Sequence, residues 1–255
     1  MTRLRSLLPV VAAAVTFLLA WRVIVVLGNY PSFILPTPEQ VGARLLRAAG
    51  DGTLAPHVGA TLTAVGLGLL VGALMALLIG YLLARSGLAE RLLSPYLVAA
   101  QATPILALAP LIALWFGSGL ASKVVICALI VFFPVAVATM VGIRSVDRGL
   151  LELGRSLRAS RWQVFRYLEL PAATPQILGG LRVGVTLAVV GAIVAEWAAP
   201  GERGLGTLVL LARGSLFDIP LMFAALVTIA LIGVALYLVV VIIERRLVGA
   251  WRNNP

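Results

Sequence analysis

Cysteine, histidine and lysine each occur once in this chain of 255 residues, as Cys127, His57 and Lys123. One cysteine, lying inside an apolar run, excludes an intrachain disulfide and a multi-cysteine metal site. One histidine excludes a poly-histidine metal centre. The single lysine stands between Ser122 and Val124. A phosphate-binding loop needs Gly-Lys-Ser or Gly-Lys-Thr, so the chain has no such loop with which to hydrolyse ATP. Charge is scarce as well: Asp, Glu, Lys and Arg make up 12% of the residues and gather in clusters between long uncharged runs. A membrane enzyme would need clustered acids, histidines or metal ligands, and the spans lack paired carboxylates.

What fills the chain is apolar. Hydrophobic residues reach 61% and the mean hydropathy is +1.07. That is more than a water-soluble domain carries, so the excess must face lipid. About 20 apolar residues are needed to cross a bilayer as a helix. Six stretches meet or approach that length: Leu7–Leu27, Val58–Leu83, Leu92–Phe116, Val124–Ile143, Ile177–Trp197 and Ile219–Ile243. The first follows Thr2-Arg3-Leu4-Arg5 and has the flavour of a secretory signal; five further spans and its own length favour a retained helix.

The net charge is +10. The basic residues lie at the ends of apolar runs instead of forming one polar face, which points to a membrane and away from nucleic acid. With the N-terminus inside and six alternating spans, 14 Lys or Arg fall on the inner side and 6 on the outer. Both termini are therefore expected in the cytoplasm. On the outer side, Thr37 is expected to cap a short interfacial helix with Pro38 at its first position, running to about Ala49. Gly50-Asp51-Gly52 then turns the chain back.

Arg144 to Thr174 cannot span. Leu150, Leu153 and Leu157, then Trp162, Phe165 and Leu168, recur at helical spacing among arginines. The pattern predicts two short amphipathic helices with a bend near Arg158–Ser160, ended by Pro171 and Pro175 ahead of the fifth span. A solvated basic loop has no use for Trp162 and Phe165 at that spacing, so this face should cover lipid headgroups or a partner protein.

The segment resembles the EAA loop of permease subunits of ATP-binding-cassette importers, whose pattern is E-A-A, three residues, G, nine residues, I-x-L-P. Glu152-Leu153-Gly154 stands at E-A-A, Arg158 at the glycine and Leu168-Glu169-Leu170-Pro171 at I-x-L-P. The spacing agrees, while Leu153, Gly154, Arg158 and Leu168 depart from it. Arginine at 158 would resist the positive φ that glycine permits. The flanking Gly142–Asp147, Ala159–Gln163 and Leu170–Ala173 look like the nitrate, sulfonate and taurine branch. So do Leu35–Pro38, Ala109–Gly117, Gly204–Gly206 and Glu244–Arg246.

The resemblance implies an all-α membrane protein of six transmembrane helices with the type I ABC importer permease (MetI-like) fold. Residues 1–57 would hold the first span and the outer helix; residues 58–250 would form the permease core, with a coupling loop at 144–175. It implies two ATPase subunits below, an extracytoplasmic solute-binding protein above and a second permease copy, in a bacterial inner membrane, with no cofactor. Glu152, Gly154, Leu157, Arg158, Ala159, Ser160, Trp162, Leu170 and Pro171 would carry the ATPase contact.

For the pore, Gly68 and Gly72, and Gly180, Gly184 and Gly191, have the spacing of close helix packing, within one chain or between copies. Pro104, Pro110 and Pro134 can kink their helices or free a carbonyl. Gln101, Thr103, Phe133, Glu196 and Trp197 are candidates for the translocation path. Glu196 reads as an interfacial anchor or an outer gate. The threonines Thr61, Thr63 and Thr139 can bond back to their own helices. Gln101–Pro104 and Gly191–Trp197 resemble members that carry pyrimidine vitamin precursors or riboflavin, which makes a small polar organic solute the expected cargo; a sulfonate, taurine or nitrate permease is the alternative. A channel or secondary transporter is the rival of another class, and the latter would place ionisable residues near mid-bilayer.

Overall fold

The computed structural model describes residues 2–102, 105–201 and 203–252, and among them every regular element is helical. The helices are α1 (Thr2–Leu27), α2 (Pro38–Gly50), α3 (Leu54–Arg85), α4 (Gly87–Ala102), α5 (Ile105–Phe116), α6 (Leu120–Arg144), α7 (Arg148–Ser156), α8 (Arg161–Val164), α9 (Leu170–Ala198), α10 (Leu205–Arg213) and α11 (Ile219–Arg252). A π turn, Phe165–Glu169, joins α8 to α9.

Among the described residues four helical stretches are long and apolar enough to cross a membrane: Leu54–Arg85, Leu120–Arg144, Arg161–Ala198 and Ile219–Arg246. The apolar part of α1, Val11–Leu27, and Ala107–Phe116 in α5 are shorter. The described parts of the third expected span, Leu92–Phe116, are helical, with α4 reaching Ala102 and α5 beginning at Ile105. Thr103 and Pro104, between them, lie outside the described residues.

The expected stop at Pro171 and Pro175 is also corrected. The helix runs on from Arg161 to Ala198. In the π turn the bonds lengthen by one residue, with Leu170 N–H donating to the Phe165 carbonyl. Pro171 then falls in the first turn of α9, where a missing N–H costs least.

α6 lies between α3 and α9, and small residues let the three backbones close up. A Cβ on Gly72 would lie 2.6 Å from the Ala128 carbonyl oxygen, and one on Gly180 would lie 2.4 Å from Ala138 Cβ. Gly68, Gly184 and Gly191 meet α6 in the same way, so this glycine spacing serves packing within the chain. Ala64, Val65, Val131, Val135, Ala188 and Ala192 fill the seam. Pro110 and Pro134 lie inside α5 and α6.

Polar contacts fasten the two ends of this apolar bundle. At the end holding α7 and α8, called here the hairpin end, Arg85 Nη2 is 3.0 Å from Glu169 Oε2. Arg144 pairs with Glu90 and reaches the Leu83 carbonyl at 3.1 Å. Arg182 of α9 pairs with Glu244 of α11. At the far end, α2 begins as expected: Thr37 and Gln40 form a reciprocal capping box with Pro38 in the first turn. Arg44 of α2 bonds Asp218 at 2.7 Å, just ahead of α11, while Val41 and Ala48 are buried beneath. Leu70, Leu74 and Leu78 form a stripe of exposed leucines along α3, the kind of surface lipid covers.

Candidate functional site

The hairpin is built from local chemistry. Asp147 caps α7 by accepting from the N–H groups of Gly149, at 2.7 Å, and Leu150, at 3.2 Å. α7 ends in a paired closure. Ala159 N–H donates to the Gly154 carbonyl and Arg158 N–H to the Arg155 carbonyl, both at 2.9 Å. This is the pattern that places its middle residue in the left-handed region, and Arg158 stands there with φ +53°. The expected bend is therefore made, and arginine holds the strained position that glycine would fill without cost. Ser160 and Gln163 then form a second capping box that starts α8.

The two short helices enclose an open groove of ≈ 330 Å³, lined by Leu150, Leu153, Leu157, Val164, Tyr167 and Leu168 among others. Its floor is Gly154, the one buried residue of α7; a Cβ there would lie 3.4 Å from Leu168 Cδ1. Leu157, Trp162 and Tyr167 are 73%, 68% and 71% exposed, a large apolar surface around the hairpin. Phe165 turns inward, with its ring centroid 5.2 Å from that of Tyr81 on α3 and 5.6 Å from that of Trp162. The structure thus gathers Gly154, Leu157 and Ala159 around one groove, with Arg158 and Ser160 in the bend beside it. Trp162 lies two residues past Ser160, outside the groove, in a pocket with Tyr81, Arg161 and Phe165. Glu152 is exposed on α7, and Leu170 and Pro171 are half-buried at the start of α9. Through Arg85–Glu169 and Tyr81–Phe165 the hairpin grips α3 as well as the helices it joins.

The far end holds the other candidates. Glu196 is fully buried, where an interfacial reading would expose it. Its carboxylate accepts from Thr61 Oγ1 at 2.8 Å and from the Gly206 N–H at 2.6 Å. The acid caps α10, favourable both for the free N–H groups and for the helix dipole. Gly204, with φ +149°, presses against it: a Cβ would meet the carboxylate carbon at 2.3 Å. Thr61 Oγ1 accepts from the Leu205 N–H at 2.9 Å while donating to Glu196. His57 Nδ1 lies 3.1 Å from the Gly204 nitrogen and 2.8 Å from its carbonyl oxygen. Lys123, only 6% exposed, donates to the Arg203 carbonyl at 3.0 Å. Trp197 Nε1 donates to the Gly206 carbonyl at 3.2 Å.

Thr63 and Thr139 bond back to Gly59 and Val135 as expected. Thr61 does not; its hydroxyl serves the Glu196 cluster. Phe133 is half-buried, with its ring centroid 5.1 Å from that of Phe132. Thr103 and the side chain of Gln101 lie outside the described residues. Thr61 was not anticipated as a partner of Glu196, nor His57 and Lys123 as partners of the loop beside it. The one signal was a lysine amid uncharged residues at the mouth of a span, which demands a local acceptor.

The chain belongs to the family described as the binding-protein-dependent transport system inner membrane component, which matches residues 68–249. It is 46% identical over 243 residues to the riboflavin transport system permease protein RibX of Chloroflexus aurantiacus, covering 94% of this chain and 90% of that one. It is 35% identical over 224 residues to the formylaminopyrimidine transport permease protein ThiX of Halalkalibacterium halodurans, covering 87% of each. The fold is similar to that in inward-facing conformations of the MetNI methionine ABC transporter, with TM-score 0.65, 20% identity, and 77% and 95% of the two chains covered. The protein is thus a multi-pass inner-membrane permease subunit of an ATP-binding-cassette importer. Hydrolysis of ATP belongs to a separate partner subunit.

Proposed function

We propose that this permease conducts a flavin or a pyrimidine vitamin precursor, driven by two ATPase subunits that press on the hairpin. The observation that carries the coupling reading is the exposed apolar groove between α7 and α8. Leu153 and Leu157, on or beside the short polar helix α7, and Trp162, at the very start of the helical stretch that follows, are exposed, a surface suited to a protein cleft. Glu152, Gly154, Arg158, Ala159 and Ser160 shape or flank it, and Leu170 and Pro171 pass its movement into α9. The identity to the riboflavin permease supports the choice of cargo.

The hairpin faces the cytoplasm in this reading, with both termini on the same side, as the arginine distribution favours. A second copy of the chain completes the pore, and an extracytoplasmic binding protein delivers the solute. Residues 58–250 form the moving core. Residues 1–57 brace it from outside, with most described side chains of α1 facing outward. Phe133 and Trp197 offer aromatic surfaces along the path.

The test is reconstitution in vesicles with the cognate ATPase and binding protein. Vanadate-sensitive, ATP-dependent uptake of riboflavin or a formylaminopyrimidine is expected. Glu152→Lys should retain ATP hydrolysis and lose uptake. Uptake that persists without any ATPase subunit would refute the proposal.

A further inference from the structure

We propose that Glu196 and Thr61 are positioning residues for transport, forming a brace that makes the far ends of α3, α6, α9 and α10 move as one block. The inference rests on the permease reading for its transport arm; the brace itself can be tested without it.

The connection from α9 to α10 is a short irregular segment, and an irregular backbone at the edge of a membrane must find partners for its polar groups. Here those partners are side chains from three different helices. His57 and Thr61 come from α3, Lys123 from α6, and Glu196 and Trp197 from α9. Together they take the Arg203 carbonyl, one polar group of Gly204 (its N–H or its carbonyl, as the His57 tautomer allows), the N–H groups of Leu205 and Gly206, and the Gly206 carbonyl.

Every group reaching the Glu196 carboxylate is a donor, the set that an acceptor-only carboxylate requires. Thr61 is used twice, donating to Glu196 and accepting from Leu205. Removing either residue therefore leaves buried groups unpaired, at a cost greater than that of an ordinary hydrogen bond. The positive φ and close approach of Gly204 allow the loop to lie this tightly against the acid. Leu205 and Leu208 of α10 are buried against α2, α3 and α11, so the braced segment is also the root of a packed helix.

The arrangement does not suit a gate that must open around a free side chain. Glu196 is satisfied by the chain itself and has no surface left for a solute. Its effect on transport passes through geometry: α9 receives motion from the hairpin, and the brace hands that motion to its neighbours.

Two isosteric changes test this, Thr61→Val and Glu196→Gln, with Thr61→Ser as rescue and Thr63→Val as control. Amide hydrogen exchange on the purified full-length chain should quicken roughly tenfold at Leu205–Thr207 in the first two variants, the shift expected from losing one hydrogen bond to a charged group. Exchange in α6 should stay at the wild-type rate, which checks that the protein folds. In the complex, uptake should fall by about tenfold in both while ATP hydrolysis continues. Thr61→Ser and Thr63→Val should match the wild type in both measurements. Unchanged exchange at Leu205–Thr207, or faster exchange with undiminished uptake, would overturn the proposal. If the wild-type complex shows no ATP-driven uptake, the permease reading fails, and the exchange data still decide whether the brace exists.

Discussion

Arg85 Nη2 and Glu169 Oε2 lie 3.0 Å apart, joining the last turn of α3 to the π turn that precedes α9. The Glu169 side chain is only 5% exposed, so this carboxylate depends on its one charged partner. Arg85→Ala should lower the stability of the purified protein by about 2 kcal/mol, and adding Glu169→Gln should recover part of that loss. Thermal unfolding in detergent measures both. Equal stability of Arg85→Ala and wild type would show the pair to be idle.

The left-handed Arg158 offers a change in the opposite direction. Arg158→Gly relieves the clash of Cβ with the backbone and should stabilise the hairpin by about 1 kcal/mol, net of the entropy glycine adds to the unfolded chain. The readout is resistance of the bend to limited proteolysis, beside Arg158→Val, which should be cut faster than the wild type.

Ala159→Pro should break the same bend. It deletes the N–H that bonds the Gly154 carbonyl, and it drives Arg158 out of the left-handed region. The expected result is a protein that inserts and purifies normally, with uptake reduced by about tenfold or more and ATPase stimulation lost. Full coupling in this variant would remove the hairpin from the mechanism.

Glycines of one helix divide by what a methyl group would meet. Gly180→Ala brings a Cβ within 2.4 Å of Ala138 Cβ and should cost about 1–3 kcal/mol by forcing α6 and α9 apart. Gly179→Ala, where nothing lies within 4 Å, should be neutral or slightly stabilising. Monodisperse yield and melting temperature compare the two directly.

Arg182 and Glu244 tie α9 to α11 near the hairpin end, both partly shielded from solvent. Charge reversal at either site should lower the melting temperature, and the swapped double variant should recover most of that loss. A double variant no better than its parents would mean that the two charges act separately.

Much of this architecture could be read from residues close together in the chain. Thr37, Pro38 and Gln40 hold their own capping instructions within four residues. The bend at Arg158–Ser160 was visible because helical periodicity breaks there. What stayed hidden depends on which helices become neighbours. Thr61 and Glu196 are 135 residues apart, and nothing in either local pattern says that α3 and α9 meet at that height. Pro171 and Pro175 carry the ordinary signature of a helix end. A single π turn let the helix continue past them, and that adjustment depends on packing against Arg85 and Tyr81.

The 38 residues from Arg161 to Ala198 form one continuous helical stretch through the π turn, roughly 57 Å long at 1.5 Å per residue. In the proposed coupling, this stretch works as a lever with its handle among the hairpin residues and Glu196 near its tip. A tilt of about 10° about its handle would sweep the tip through roughly 10 Å. Modest travel at one face of the membrane is thereby magnified at the other, with the π turn, at the handle end of the lever, as the place where compliance is built in.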